Sequence, residues 1–141
     1  MSAFWDASAL VHVFVPDQRS IRAKELLRAE AVVVWWGTML EVRGTLARLH
    51  REGSISPVAF QAANERAAAT LSASKEVQPT ETLRELAIQL MGRFALKSAD
   101  ALQLAAALVW AKQKPCGRLF ISNDRRLNIA ATAAGFETES V

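Results

Sequence analysis

The sequence predicts an α/β fold: a parallel sheet of four or five strands with helices packed on both faces. Two observations predict it. Short β-branched or aromatic runs (FW at 4–5, VVVWW at 32–36, LFI at 119–121) alternate with longer segments of helical periodicity. A helix between successive strands supplies the crossover that parallel neighbours need, and crossovers cover both faces of the sheet. No repeat, low-complexity tract or Gly/Ser linker breaks the alternation, so residues 1–141 read as a single domain.

The elements follow in order. Ser2 to Asp6 is short and apolar, with Phe4 and Trp5, and reads as the first strand. Ala7 to Phe14 is helical and Pro16 stops it; Arg19 to Glu30 sets Ile21, Leu26 and Leu27 against charges on the other side, the pattern of an amphipathic helix. Ala31 to Trp36, bounded by Gly37, reads as a strand buried on both faces. Thr38 to Arg51 is a helix stopped by Gly53. Ser56 caps the next helix, Pro57 fills its first turn, and it runs to about Ser72. Glu76 to Gln78 is a weak third strand. Helices follow from Pro79 or Thr80 to Arg93 and from Ser98 to Lys112. Arg118 to Ser122 is a strand, Arg125 to Ala134 a helix stopped by Gly135, and Phe136 to Val141 a last strand.

Composition narrows the function classes. At 51% apolar and 22% charged residues the chain is globular rather than disordered, and 141 residues bury a core without staples. One cysteine, Cys116, excludes an internal disulfide framework and a cysteine-based zinc cluster. The opening MSAFWDASAL lacks a basic region before an apolar core, and no apolar run approaches the roughly 18 residues of a membrane span. The expectation is a cytoplasmic protein with no membrane partner. The net charge of +3 is compatible with nucleic acid but mild.

Four acids carry the functional reading. Asp6 ends the first strand, Glu41 lies one turn into the helix after the second, Asp100 sits in the first turn of the Ser98 helix, and Asp124 follows the RLFIS strand by two residues. All four fall where strands exit and helices begin. Parallel strands put such edges on one side, where open α/β sheets bind their ligands. Each acid also has a plain structural reading. Acidic residues complement the helix dipole in a first turn, Asp6 and Asp124 can be N-caps, and Thr38 to Glu41 spells a capping box. Small neighbours (Ala7-Ser8-Ala9 after Asp6, Ala99 and Ala101 around Asp100) would let a backbone or a metal come close, and the alanines after Asp100 suggest tight packing behind the site.

These segments resemble the PIN domain, in particular the VapC-type toxins of bacterial toxin–antitoxin pairs. The family's strand ending in Asp, a small residue, Ser or Thr, and Leu reads here FWDASALV; its Glu after a hydrophobic strand, VVVWWGTMLEVRGTLARL; its Asp-Ala with an alanine-rich helix, KSADALQLAAAL; its final Asp, LFISNDRRLNIAATAAGF. The order is the family's and the resemblance spans nearly the whole chain. Asn123 departs from it, standing where an apolar or small residue is common. The resemblance implies a PIN-like three-layer sandwich, an endoribonuclease giving 5′-phosphate and 3′-hydroxyl ends, a homodimer and a cognate antitoxin protein.

The chemistry agrees with the residues. Crowded carboxylates repel one another, and a hard divalent cation resolves the conflict. Oxygen-only ligation suits Mg²⁺ or Mn²⁺, one ion or two, and the lack of a His/Cys cluster argues against zinc. Asp6, Asp100 and Asp124 are the expected main ligands, Glu41 a ligand or water-orienting group, and Ser8 and Ser122 hydrogen-bond partners of the acids. An RNA backbone needs cations; Arg43, Arg93, Lys97, Arg125 and Arg126 are the candidates, although Arg43, two residues past Glu41, need not share its face. His12 and His50 read as surface or helix-face residues, Cys116 as part of a turn, and Trp35 and Trp36 as packing rather than base-stacking platforms. Two other readings stay open: a nuclease of this fold in RNA processing or DNA metabolism, and a non-catalytic α/β binding module whose acids are only caps. A phosphoacceptor receiver lacks its acid after the third strand, and neither glycine-rich nucleotide-binding motif is present.

Overall fold

The computed structural model describes residues 1–15, 17 and 20–141. Its elements are β1 (Ser2–Trp5), α1 (Ala7–Phe14), α2 (Ser20–Ala29), β2 (Ala31–Trp35), α3 (Thr38–Arg51), α4 (Pro57–Ser72), β3 (Lys75–Val77), α5 (Glu81–Arg93), α6 (Ser98–Trp110), β4 (Leu119–Ser122), α7 (Arg125–Ala134) and β5 (Glu137–Ser140). The expected stop at Pro16 and the expected start of α2 at Arg19 lie outside the described residues.

All strand pairs are parallel, in the order β3-β2-β1-β4-β5. β1 is central. The chain builds outward through β2 to β3, then returns to the other side of β1 for β4 and β5. The strand order therefore reverses between β1 and β4, whose register pairs Ala3 with Leu119 and Trp5 with Ile121. A crevice opens at such a reversal because successive crossovers leave to opposite faces.

Side-chain alternation assigns the layers. Phe4, Val33, Trp35, Val77 and Phe120 point to the face covered by α5, α6 and α7. Ala3, Trp5, Val34 and Ile121 point to the face covered by α1 to α4. This is a three-layer sandwich around a five-stranded sheet. Phe4 and Phe120 stack with ring centroids 5.5 Å apart, clamping β1 to β4; truncating either aromatic would cost about 3–5 kcal/mol. Ala101, Ala105, Ala106 and Ala107 of α6 are fully buried, so small side chains do allow close packing behind Asp100.

The boundaries differ from the sequence reading in three informative places. β2 ends at Trp35 and Trp36 is 52% exposed, so the VVVWW run is not buried throughout. α6 ends at Trp110 because Lys112 and Gln113 adopt left-handed backbone, φ 52° and 58°. α3 is capped by Gly37, not Thr38; Thr38 is buried in the first turn and the capping box does not form. Gly135 stops α7 as expected, in the left-handed conformation (φ 111°) that glycine adopts without steric cost. No helix among the described residues is long and apolar enough to cross a membrane.

Candidate active site

The site lies at the β1/β4 reversal. Asp6 follows β1, and its amide donates to the carbonyl of Ile121 in β4 (2.9 Å). Its backbone caps α1 but its side chain makes no capping bond. The carboxylate is instead 3% exposed and held at Oδ2 by two hydroxyls, Ser8 Oγ donating at 2.5 Å and Ser122 Oγ at 2.8 Å. Ser8 in turn accepts from the amide of Asn123 (3.0 Å) and Ser122 from the amide of Asp124 (2.9 Å). The two serines thus tie the ends of β1 and β4 into one hydrogen-bonded unit. An Asp that served only as a cap would not be diverted in this way.

Asp124 does cap: its Oδ1 accepts from the amide of Leu127 at 3.0 Å, leaving the second oxygen outside that bond. Glu41 reaches toward α6, where Gln103 Nε2 donates to its Oε1 at 3.2 Å. Asp100 stands in the first turn of α6, half-buried.

The acids act on one another electrically. Burial lifts the Asp6 carboxyl to about 6; the serine hydrogen bonds oppose the rise and the charges of Asp100 and Asp124 add to it. Glu41 is lifted to about 7 by burial and by the charge of Asp6, with the Gln103 hydrogen bond opposing and Asp100 adding. Asp100 is raised by burial and by Asp124, with Lys97 opposing. Four acids from four separate stretches of chain therefore share one field, which the serine and Gln103 hydrogen bonds and Lys97 offset only in part. An all-oxygen donor set in this condition fits a hard divalent cation. Among the described residues no three His, Cys, Asp or Glu side chains stand close enough to grip an ion between them without moving.

The predicted cations are distributed unevenly. Lys97, the backbone cap of α6, acts on Asp100. Arg93 lies over the ring of Phe94, 4.9 Å from its centroid. Arg125 and Arg126 head α7 and are exposed; Arg43 is exposed on α3. Of the histidines, His50 stacks on Phe60 at 4.4 Å. His12, expected on the surface or on a helix face, lies on α1 with its side chain 12% exposed and its Nδ1 2.5 Å from Asp17 Oδ2.

Sequence reasoning missed Gln103, which is fully buried and joins α6 to Thr38 and Glu41 of α3. The signal was available: a lone amide three residues after Asp100, hence on its face, in a helix otherwise apolar all round.

The PIN domain family model matches residues 3–133, and the chain belongs to the PIN domain family. Its fold is also that of solved VapC toxins. The VapC20 toxin of Mycobacterium tuberculosis, which cleaves the sarcin–ricin loop, superposes with a TM-score of 0.68 at 22% identity, covering 96% of this chain and 97% of that one. A toxin–antitoxin complex from Klebsiella pneumoniae gives 0.64 at 21% identity, with 87% of each chain covered. VapBC2 of Rickettsia felis, solved with a fragment of promoter DNA, gives 0.62 at 10% identity over 99% of this chain and 98% of that one. None of the curated proteins matches the sequence.

Proposed function

We propose that the protein is a Mg²⁺- or Mn²⁺-dependent endoribonuclease acting in the cytoplasm as the toxin of a toxin–antitoxin pair. One observation carries the reading: at the sheet's reversal burial and neighbouring carboxylates together raise the proton affinity of Asp6, Glu41 and Asp100, with Asp124 among the charges that act on Asp6 and Asp100. Membership of the PIN family and the likeness to VapC chains support the substrate class and a cognate antitoxin partner. A homodimer is the assembly this reading implies.

In this reading Asp6, Asp100 and Asp124 hold one ion or two, directly or through water. When bound, the metal supplies Lewis-acid chemistry, polarising the phosphate and making water more acidic. Ser8 and Ser122 fix the orientation of Asp6, so the carboxylate is set before substrate arrives. Glu41, steadied by Gln103, orients the attacking water opposite the leaving oxygen. Water attacks phosphorus, the P–O3′ bond breaks, and a proton lost by the water is made up at O3′, leaving a 5′-phosphate and a 3′-hydroxyl. Lys97 and the arginines at positions 43, 93, 125 and 126 draw the strand toward the acidic centre.

The test is calorimetric titration of metal-stripped protein with Mn²⁺, beside the Asp100→Asn variant, followed by incubation with RNA. Binding lost in a folded variant, and cleavage that needs the ion, would support the reading. Absence of both from the wild type, with and without RNA, would overturn it.

A further inference from the structure

The α6 helix carries Asp100 on one flank and Leu102, two residues on, on nearly the opposite one. Leu102 lines a cleft of about 300 Å³ together with Trp35, at the end of β2, and with Pro79, Thr80, Glu81 and Arg84 around the head of α5. The cleft sits at the same sheet edge as the acids. β1 and β2 run in register from Ser2 with Ala31 to Phe4 with Val33. Two further residues set Asp6 level with Trp35 on the next strand, about 4.8 Å away. Trp36 stands beside the cleft. Its amide donates to the carbonyl of Val77 (2.9 Å), two residues before Pro79, and its ring meets that of Trp35 edge-on at 6.2 Å.

The cleft is not built for an ion; its chemistry suits a flat, neutral group. Glu81 and Arg84 pair with each other one helical turn apart, both exposed, so their charges cancel. The remaining walls, Trp35, Pro79, Leu83 and Leu102, are apolar. Thr80 Oγ1 accepts from the amide of Leu83 at 3.2 Å, and among the described residues its own hydrogen has no acceptor, so one donor is available. Trp36 is 52% exposed, which leaves indole surface in water beside a site built from charges. A tryptophan that served only packing would be drawn in, as Trp35 is at 6%. The backbone bond to Val77 and the contact with Trp35 hold the Trp36 ring, so it has little freedom to lose on stacking.

We propose that this cleft and the Trp36 indole form a nucleobase subsite. A base of the RNA strand, near the scissile phosphate, stacks on Trp36 and turns its edge into the cleft, where Thr80 donates to a carbonyl of the base. Stacking of this kind tolerates any base, because every base has a π face. The inference rests on the nuclease reading for the identity of the strand, but the affinity for a base does not. Trp36 is then a positioning residue: it sets how tightly the strand is held and leads it from the acids over the β2–β3 end of the sheet.

Two measurements test it. In chelator, the protein is titrated with short single-stranded RNA and with a strand of the same length that carries no bases. Tryptophan fluorescence reports stacking and the anisotropy of a dye-labelled strand reports affinity, for wild type, Trp36→Ala and Trp36→Phe. RNA cleavage with Mn²⁺ is then measured for the same three proteins. The expected result is a saturable quench by RNA and none by the base-free strand. Trp36→Ala should lose the quench, bind RNA roughly tenfold more weakly and show KM raised by a similar factor, with kcat and Mn²⁺ affinity nearly unchanged. Trp36→Phe, which keeps a stacking face, should restore most of the affinity and KM. In a protein that cleaves RNA, a quench by the base-free strand as well, no quench at all, or a KM unaltered in Trp36→Ala would overturn the subsite and leave the nuclease reading standing. A base-dependent quench that Trp36→Ala abolishes, in a protein that cleaves no RNA, would keep the base site and remove the nuclease reading. No quench and no cleavage would remove both.

Discussion

Gln103 lies on α6 and Glu41 on α3, and the amide of the first donates to the carboxylate of the second across 3.2 Å. The same Nε2 reaches Thr38 Oγ1, also at 3.2 Å. One buried side chain thereby fixes the spacing of two helices that each carry a site acid. In Gln103→Leu the volume is nearly kept, but Thr38 and Glu41 lose their partner inside the fold. A destabilisation of about 1–3 kcal/mol is expected in chemical denaturation. Mn²⁺ affinity is expected to fall by about 10–100-fold in calorimetry. A variant with wild-type affinity would show that Glu41 needs no such support.

Asp6→Asn separates chemistry from stability in the opposite direction. The asparagine still accepts from Ser8 and Ser122 through its carbonyl oxygen, and it removes a buried charge. A carboxyl lifted from 3.8 to about 6 makes ionisation of the folded protein at neutral pH costly by on the order of 3 kcal/mol. The metal-free variant should therefore melt at a higher temperature than the metal-free wild type at pH 7.5, while losing Mn²⁺ binding. A lower melting temperature there would mean that the charge is already balanced.

The pH dependence of the metal-free protein follows from the same two acids. Asp6 and Glu41 both have folded pKa values above their unfolded ones, at about 6 and about 7. The folded state then holds more protons between about pH 4 and pH 7, and these groups' contribution to stability is lost as pH rises through that window. Mn²⁺ should reverse the trend, raising the melting temperature more at pH 7.5 than at pH 5, because ligands must shed their protons to bind. A melting temperature in chelator that rises across the window in wild type and Asp6→Asn alike would contradict the assignment.

Asp124 caps α7 and, in the proposed function, also holds the metal; two substitutions divide the two roles. Asn retains the cap on Leu127, so Asp124→Asn should keep its stability within a few tenths of a kcal/mol. Asp124→Ala should lose about 1 kcal/mol. Both should abolish metal-dependent cleavage. Activity surviving in Asp124→Asn would assign this residue to the cap alone.

Much of this was readable from the residues. The alternation of strand and helix, and the stops at Gly53 and Gly135, follow from local preferences that packing then reinforces. So does the position of each acid at a strand exit. The side chains' partners were not readable, because they depend on which elements meet. Thr38 to Glu41 has the letters of a capping box, yet Glu41 turns to Gln103 because α6 brings a buried amide alongside. Asp6 and Asp124 look alike as caps, and only the pairing of β1 with β4 gives Asp6 a second serine. Trp35 and Trp36 are neighbours in sequence, but alternation sends one into the core while the strand ends before the other. His12 looks isolated until α1 turns it toward Asp17.

The hydroxyl of Ser122 meets the carboxylate of Asp6 across a sequence separation of 116 residues. A chain still being made on the ribosome holds its first acid long before it holds the strand that completes the site. Until β4 has slotted in beside β1, Asp6 lacks one of its two serines and Asp124 has no place in the crevice. If the proposed nuclease site is correct, an arrested translation product or a fragment cut upstream of β4 would lack Ser122 and Asp124 and so would be inactive.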